Sequence, residues 1–483
     1  MATDHIKASA FVPFLRTNAH YIMALAIERS IPFLLLPLYT HYLSPAEFGL
    51  YALVLSFVTI AGFLDTLGLE NGLLRFSCNK DQIDTIRSAV FWSMLVLSVS
   101  AGFCCYLAAG TLADLITGDP SRAVLIRMAA ILLIAEAMNR YLNYRLLGSE
   151  KSPGYLLLSV IRSVLFISGN IIFIICLSQG VRGLLWSHLL GAGPAGLYAI
   201  GTGFFQCRSR FRIVLLDKLV RFGVPVMFSS IFITLLHFFD RFLIQRFSSV
   251  YDVGLYSMAY KTGMVLNLLV TAFNMGAVPF LSVNADSDAS ARVIIARMAG
   301  IVAFFTLPVF LFISLFIRDI AGISIGPVTL IQSEYHAALY LVPVLLLGYV
   351  FYGFFSVFSL VLYYRLKTHI MAWITAAAFI INIVCNLILI PLLDVLGAAL
   401  ATLSAFLIMA VFMYAITQRT MRINYQWRNI FLPGVLAVIP SVFPVLISDQ
   451  FFWVRTAYFI AFFLLCLMWL RPLFHLRWRR KSE

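Results

Sequence analysis

Fourteen apolar stretches of about 20 residues or more run along this 483-residue chain, and they limit the folds that it can adopt. The hydrocarbon core of a bilayer needs about 20 apolar residues per helix. Only 12% of the residues are charged, against roughly 25% in a typical soluble domain, and 62% are hydrophobic. The stretches are continuous rather than alternating, which excludes a transmembrane β-barrel. The sequence therefore predicts an all-α polytopic membrane protein with about 14 transmembrane helices.

The distribution of Lys and Arg predicts how these helices are oriented, because basic residues collect in cytoplasmic connections. One set of connections holds 25 of the 35 basic residues, and the opposite set holds only Arg122, Arg182, Arg246, Arg318 and Arg455. We expect both termini in the cytoplasm, no cleavable signal peptide in residues 1–18 and a basic tail against anionic headgroups. The net charge of +14 thus indicates orientation, and no nucleic-acid partner is expected. The predicted spans are 19–41, 46–72, 88–111, 122–147, 154–178, 182–204, 219–245, 253–281, 292–317, 336–362, 369–391, 395–417, 429–448 and 451–470.

A short motif occurs twice, 205 positions apart: EFGLY at 47–51 and DVGLY at 252–256. A second pair, VRGLLWS at 181–187 and VLGAALA at 395–401, shows a similar relationship. Six helices separate the members of each pair, and an even number predicts two parallel repeats. We interpret the glycine and tyrosine of the first motif as a tight turn at a helix start with an interfacial ring.

The repeat divides the chain into four segments. An N-lobe of helices 1–6 covers residues 1–206, and a basic cytoplasmic linker covers 207–221. A C-lobe of helices 7–12 covers 222–425, and helices 13–14 with the basic tail cover 426–483. Two parallel six-helix lobes with a binding site between them are typical of alternating-access transporters.

Several segments resemble the polysaccharide biosynthesis flippases. They are PFLLLPLYTHYLSPAEFGLYALVLSFVTI from residue 32, LGLENGLLRF from 67, and NIVCNLILIPLLDVLGAALATLSAFL from 382. The most specific are DRF at 240–242 and GLYSMAYK at 254–261. Over roughly residues 15–425 the chain is similar to the Wzx-type O-antigen flippases of the multidrug/oligosaccharidyl-lipid/polysaccharide exporter superfamily.

The resemblance implies a fold and a substrate. The fold is two six-helix lobes, usually with two extra helices. The implied activity is movement of an undecaprenyl-diphosphate-linked oligosaccharide, an O-antigen, capsule or exopolysaccharide unit, from the inner to the outer leaflet of a bacterial plasma membrane. Other glycan-assembly membrane proteins are implied as partners. The sugar itself is not identified by the resemblance.

Ionisable residues lie inside several predicted spans, and each costs roughly 2.5–3.5 kcal/mol at a helix centre. We therefore expect them to face a wet cavity or one another. An anionic diphosphate needs cations along its route, and Arg and Lys both bind phosphate. We expect Arg29 and Lys261 to clasp the diphosphate near the midplane, with Arg241 on the outer side and Arg162 on the inner side. The ionisable residues are Glu28, Arg29, Asp65, Glu70, Glu136, Arg162, Asp240, Arg241 and Lys261.

Structural explanations remain open for some of these charges. Glu136 and Arg140 have the spacing of an i,i+4 helix pair. Asp65 and Glu70 are consistent with an inner-leaflet anchor that involves Arg75.

Arg162 is consistent with snorkelling to the cytoplasmic interface. Glu28-Arg29 and Asp240-Arg241 are consistent with structural pairs to nearby helices, because chain neighbours do not face each other on a helix. Lys261 has no acid at i±3 or i±4, and we expect it to face the cavity.

The coupling ion and the sugar contacts are less constrained. Glu28, Asp65 and Asp240 are candidates to carry a proton or Na⁺, and the sequence does not choose among them. Candidate sugar contacts are Tyr39, Tyr256, Tyr260, Asn267 and Asn274, although packing and interfacial anchoring are the favoured explanation for each of them.

Two other classes compete with a flippase. A drug or cation antiporter of the same superfamily would favour buried carboxylates without cations. A membrane-embedded polysaccharide polymerase or ligase would need a substantial outer loop, and the longest one predicted is only 318–335. The chain has no glycine-rich phosphate loop, metal motif or nucleophile–base spacing, so we expect no enzyme activity, catalytic residue, metal site or cofactor.

Overall fold

The structure is a computed structural model of the chain, and it describes residues 20–21, 23–77, 82–149, 152–207, 213–326, 328–442 and 452–475. These residues are almost entirely helical. Residues 208–212 of the predicted basic linker, residues 476–483 of the predicted basic tail and the first 19 residues lie outside the described residues. The helices are α1 (23–34), α2 (Leu36–Tyr42), α3 (Pro45–Leu64), α4 (Leu69–Phe76), α5 (Ile83–Leu107), α6 (Ala109–Thr117), α7 (Ala123–Gly148), α8 (Ser152–Asn170), α9 (Gly180–Gln206), α10 (Ile213–Phe238), α11 (Asp240–Phe247), α12 (Val250–Asn284), α13 (Asp288–Ala321), α14 (Leu341–Tyr364), α15 (His369–Thr420), α16 (Trp427–Val442) and α17 (Phe452–His475).

The helices lie where the apolar stretches predict them. In the part of the chain that the structure describes, nine helical segments are long and apolar enough to cross a membrane. Two shorter apolar helices, Ile430–Ser441 and Phe452–Met468, follow. The less apolar α7 and α9 occupy the predicted fourth and sixth spans. The predicted fold class, an all-α multi-pass membrane protein, is confirmed.

Single residues with positive φ interrupt several predicted spans. Leu67 (φ 50°) and Gly68 (φ 69°) divide the second span into α3 and α4. Asp394 (φ 50°) breaks the long α15 where predicted spans 11 and 12 meet. Ser178 (φ 49°) and Gly180 (φ 54°) likewise precede the sixth span. Both members of the second sequence pair therefore follow a left-handed residue, a conformation that is uncommon outside glycine.

The acids of the repeated motif have a local role. Ser44, the N-cap of α3, accepts a hydrogen bond from the Glu47 backbone N–H, and the Glu47 carboxylate accepts from the Ser44 backbone at 3.0 Å. At the start of α12, Ser249 accepts from the Asp252 backbone at 3.1 Å and donates to its carboxylate at 2.6 Å. Such capping satisfies N–H groups that have no partner in the first turn of a helix. Each repeat therefore uses its acid to start a helix.

The chain divides into two compact units, Met1–Ser257 and Met258–Glu483. In the first unit, a core of buried side chains from α4, α5, α7, α9 and α10 surrounds Phe91 and Tyr141. In the second unit, Arg455 of α17 forms an ion pair with Asp319 of α13 at 2.9 Å. The division falls inside α12, and the two predicted lobes stay a prediction.

The connection predicted as the longest outer loop contains a short hairpin. Ser324–Ile325 pairs antiparallel with Val328–Thr329, and a 3₁₀ helix, Ser333–Ala338, leads into α14.

Candidate functional site

Charged side chains of the first unit pair between helices. Asp65, just after α3, accepts a hydrogen bond from Arg140 of α7, with 3.2 Å between Oδ1 and Nη2. Glu136, one turn earlier on α7, forms an ion pair with Arg162 of α8 at 2.5 Å. α7 therefore carries one acid and one base, and each binds a different neighbouring helix.

The network extends to α1. Ser159 of α8 donates a hydrogen bond to Glu28 at 2.9 Å. The charges of Glu28 on α1 and Arg162 on α8 both act on the hydroxyl of Tyr155, which is also on α8. The polar groups of α1, α3, α7 and α8 thus form one network, which we call the first-unit charge network.

Two carboxylates of this network keep an oxygen without a partner. Asp65 is 4% exposed and Glu70 is 3% exposed. Asp65 Oδ2 and Glu70 Oε2 are buried and make no hydrogen bond to any described residue, and the same is true of both side-chain polar atoms of Asn139. The charge of Glu70 also acts on Asp65. Among the described residues, no three His, Cys, Asp or Glu side chains lie close enough to hold a metal ion.

The structure gives partners that the sequence did not predict for three of these groups, and it contradicts the Glu136–Arg140 pairing. Glu136 and Arg140 do not pair with each other, because their side chains bind Arg162 and Asp65 across helix interfaces. Arg75 lies over the ring of an α10 phenylalanine at 5.5 Å instead of pairing with Asp65. Arg162 binds an acid on α7 rather than reaching only for the interface.

A second polar cluster lies at the boundary between the end of α10 and the start of α11. Asp240 is fully buried and accepts a hydrogen bond from the Tyr256 hydroxyl. Arg241 is 4% exposed and donates to the His237 carbonyl at 2.7 Å and to Ser257 Oγ at 3.2 Å. Asp240 and Arg241 also form an ion pair at 3.5 Å. The expectation that chain neighbours cannot pair is wrong here, because the long Arg241 side chain reaches the carboxylate of Asp240 within the first turn of α11.

The four cations predicted to bind the diphosphate have different surroundings. Arg29 is an exposed residue of α1, and its charge and that of Arg241 both act on His237. Arg162 is bound to an acid of the first-unit charge network. Lys261 is half-buried on α12 and belongs to the second compact unit. The predicted clasp therefore stays a prediction.

The glycines of the repeated motif contact each other, which we name the Gly49–Gly254 seam. A Cβ atom on Gly49 would lie 2.0 Å from the carbonyl oxygen of Val250, and one on Gly254 would lie 1.8 Å from that of Pro45. Real Cβ atoms do not approach so closely, so only glycine fits. Both glycines lie inside helices and neither has a positive φ. Their interpretation as turn residues is therefore wrong, and close approach of two backbones is the reason for them.

A second backbone approach, the Gly68–Gly223 seam, lies beyond the other end of α3. A Cβ on Gly68 would lie 2.4 Å from the carbonyl oxygen of Gly223, and one on Gly223 would lie 2.6 Å from that of Gly68. Asp65 and Glu70 flank Gly68 in the chain. The two unsatisfied carboxylates therefore belong to the segment that forms this seam.

The candidate sugar contacts are mostly core residues. Tyr39, Tyr256 and Tyr260 are at most 1% exposed. Tyr260 packs edge-on against Tyr349, with 5.9 Å between ring centroids. Asn274 donates to Ser356 at 2.6 Å. Packing accounts for these side chains.

A cavity of about 460 Å³ lies among α13, α14, α15 and α16 of the second unit. Phe354, Phe358, Tyr414, Trp427 and Phe431 are among its lining residues, and none of the lining residues is charged. It is suited to apolar chains rather than to a diphosphate or a sugar.

Two family models match the chain. The model described as polysaccharide biosynthesis protein matches residues 15–285, and the model described as MatE matches residues 225–388. A curated relative is the succinoglycan biosynthesis transport protein ExoT of Rhizobium meliloti (strain 1021), 26% identical over 253 residues. The match covers 51% of this chain and 49% of the relative, so the chain spans about half the length of that protein.

Solved structures share the fold. The lipid II flippase MurJ in an inward closed conformation aligns with a TM-score of 0.64 at 15% identity, covering 96% of this chain and 99% of that one. An inward-facing multidrug resistance MATE family transporter of the MOP superfamily aligns with a TM-score of 0.64 at 17% identity, covering 83% of this chain and 98% of that one. At these identities the likeness establishes the fold.

Proposed function

The chain belongs to the polysaccharide biosynthesis protein family, and we propose that it is a flippase for an undecaprenyl-diphosphate-linked oligosaccharide in a bacterial plasma membrane. The glycan would be an O-antigen, capsule or exopolysaccharide unit, carried from the inner to the outer leaflet by alternating access. Two proteins of similar sequence or fold support this proposal, because one is named for succinoglycan transport and the other for lipid II flipping.

The first-unit charge network is the observation that carries the proposal. Arg162 lies in α8, which is apolar enough to cross a bilayer, and Asp65 directly follows another such helix, α3. Their partners Glu136 and Arg140 lie in α7, at the predicted fourth span. Charges at that depth are costly and usually mark a substrate or ion pathway. A polar head group could pass such a network, whereas a purely structural bundle would replace it with apolar packing at little cost.

We assign ion coupling to Asp65, with Glu70 as its neighbour, among the three candidates. Both carboxylate oxygens of Asp240 are bound, one by Arg241 and one by Tyr256. Glu28 accepts a hydrogen bond from Ser159. Asp65 and Glu70 each retain an unbound oxygen beside a second carboxylate. Two adjacent carboxylates favour binding of a shared proton or another small cation, because both cannot easily stay ionised.

The cations Arg29, Lys261, Arg241 and Arg162 remain the proposed diphosphate contacts. Arg241 and Arg162 already bind acids. We therefore expect them to keep the translocation path polar and positively charged rather than to bind the substrate directly. Arg29 and Lys261 are expected to contact the phosphates directly.

Transbilayer movement in proteoliposomes tests the proposal. Undecaprenyl-diphosphate oligosaccharide is incorporated in the membrane, and its exposure to a membrane-impermeant glycosidase is followed with time. We expect the wild type to move the glycan and Arg29→Ala and Lys261→Ala to move it at least tenfold more slowly. Arg246→Ala, an exposed arginine of α11, is the matched control and should keep the wild-type rate. Absence of movement with any lipid-linked glycan would refute the proposal.

A drug or cation antiporter is the second candidate. The MatE match and the unsatisfied carboxylates near α4 favour it. Efflux of organic cations from the same vesicles, driven by a proton or sodium gradient and without glycan movement, would establish it instead.

A further inference from the structure

An open cavity of about 670 Å³ lies where α3, α7 and α9 of the first unit begin. The charge distribution predicts that this end of the three helices faces the outer side of the membrane. Its volume is within the range of roughly 300–1,000 Å³ that is typical of small-molecule sites. The lining includes Glu47, Ser121, Arg122, Gln179, Arg182 and Trp186. We call it the outer pocket, and it is separate from the first-unit charge network.

We propose that the outer pocket binds an acidic sugar residue, one that carries a carboxylate on its ring or on an acyl substituent. The inference rests on the proposed function, because it makes the pocket a receiving site for the glycan on the predicted outer side. The lining combines two guanidinium groups, one indole ring, an amide and a hydroxyl. Guanidinium groups bind carboxylates through paired hydrogen bonds, and amides and hydroxyls suit sugar hydroxyls.

The two arginines differ in how they are held. Arg122 forms an ion pair with Asp119 at 3.2 Å and donates to the Thr117 carbonyl at 3.2 Å. Hydrogen bonds from Ser121 lower the pKa of Asp119, so that this anchor stays ionised. Arg182 is exposed and makes no hydrogen bond or ion pair to any described residue. Arg122 is thus a positioned charge, and Arg182 is available to a ligand.

Trp186 supplies the apolar part of the site. It lies four residues after Arg182 on α9, so both side chains are on the same face of that helix. Its side chain is 46% exposed. An exposed indole beside a guanidinium offers a flat surface for the apolar face of a sugar ring and a partner for its carboxylate.

Glu47, the acid of the pocket lining, is held in place by hydrogen bonds from Ser44. Glu47 accepts hydrogen bonds from the backbone and the hydroxyl of Ser44 at 3.0 and 3.1 Å. It also lies against Gly180, where a Cβ would come within 2.5 Å of Glu47 Oε1. The starts of three helices add positive potential to that of the arginines. The two guanidinium groups of the lining outnumber its single carboxylate, so the pocket favours an anion over a neutral or cationic ligand.

Binding to the full chain in nanodiscs tests the inference. The probes are cellobiuronic acid, neutral cellobiose and inorganic diphosphate, titrated by calorimetry. We expect the acidic disaccharide to bind at least tenfold more tightly than cellobiose. Arg182→Gln and Trp186→Ala should each weaken acid binding at least fivefold, and Arg246→Gln should leave it unchanged.

Three results would overturn the inference: equal binding of the acidic and neutral disaccharides, no effect of Arg182→Gln, or tighter binding of diphosphate through the same residues. The last would assign the pocket to the lipid phosphate. The outcome is distinguishable from that of the vesicle assay. Glycan movement without acid binding would reject the outer pocket alone, and acid binding without movement of any glycan would reject the flippase alone.

Discussion

The two glycine seams of the first unit differ in the acids that surround them. At the Gly49–Gly254 seam, Glu47 and Asp252 are bound by the serines that cap the same helices. At the Gly68–Gly223 seam, buried oxygens of Asp65 and Glu70 have no partner. Both seams bring two backbones into contact. We infer that the first closes by backbone packing alone and that the second responds to a bound proton or cation.

The largest effect is expected from Gly254→Leu. A Cβ there would lie 1.8 Å from the Pro45 carbonyl, and backbone cannot yield as a side chain can. Overpacking costs about 1–3 kcal/mol, and this contact lies at the upper end, so the closed seam should become about 100-fold less populated. We expect transport to fall in proportion.

Electron paramagnetic resonance distances between labels at Ala46→Cys and Tyr251→Cys, in a background without native cysteines, report the state of this seam. Gly276→Leu is the matched control on the same helix, because a Cβ there would meet nothing within 4 Å. An unchanged distance and transport rate in Gly254→Leu would show that the seam is not required.

Gly223→Leu should have a smaller effect, and on the opposite side of the membrane, because the Gly49–Gly254 seam lies at the predicted outer end of α3 and the Gly68–Gly223 seam lies beyond its predicted inner end. A Cβ at this position would lie 2.6 Å from the Gly68 carbonyl, so we expect about a tenfold loss of the closed seam and a protein trapped open on the predicted inner side. Thiol labelling of Asn71→Cys from the inner side should become faster. Gly201→Leu, with open space around it, should not change the labelling rate. Trapping on the same side as Gly254→Leu would contradict the distinction between the seams.

Asp65→Asn tests whether the Gly68–Gly223 seam, unlike the Gly49–Gly254 seam, depends on a bound ion. The amide keeps the shape of the side chain but cannot take up a proton, so we expect gradient-driven transport to fall about tenfold while exchange without a gradient continues. Rates measured with imposed proton and sodium gradients identify the ion. Asp240→Asn is the comparison: it breaks a buried pair, which costs about 3–5 kcal/mol, and should lower stability rather than ion dependence. Full gradient dependence in Asp65→Asn would remove Asp65 from coupling.

The smallest effect is expected from the caps beside the Gly49–Gly254 seam. Ser44→Ala and Ser249→Ala each remove a side-chain cap, which lowers the free energy of unfolding by about 1 kcal/mol. Detergent-induced unfolding followed by circular dichroism should show similar losses for the two variants. A cost at one position only would indicate that the two repeats are not equivalent there.

The sequence predicted the helices well, because their positions depend on the local supply of apolar residues. It did not predict the breaks at Gly68 and Asp394, since one backbone torsion leaves hydropathy unchanged. The partners of Asp65 and Glu136 were also missed. Arg140 lies 75 positions from Asp65, and spacing along one helix favoured the wrong pairing.

The repeated motif pointed to Gly49 and Gly254, but their interpretation as turn residues was wrong. Glycine at both 49 and 254 indicated that the two positions have the same structural requirement. Sequence alone does not show whether that requirement is a turn or the close approach of two backbones. Only the fold brings residues 205 positions apart into contact and so distinguishes the two. The outer pocket was missed for the same reason, because its residues come from three separate helix starts.

The Gly49–Gly254 contact is reciprocal: each glycine meets the carbonyl four residues before the other. Such mutual contact is the property of an interface between two identical subunits related by a two-fold axis. In a homodimer, a mutation there changes both sides at once. In a single chain it changes one side only. One glycine of this contact can therefore be replaced without the other, so a reciprocal contact within one chain is able to become directional.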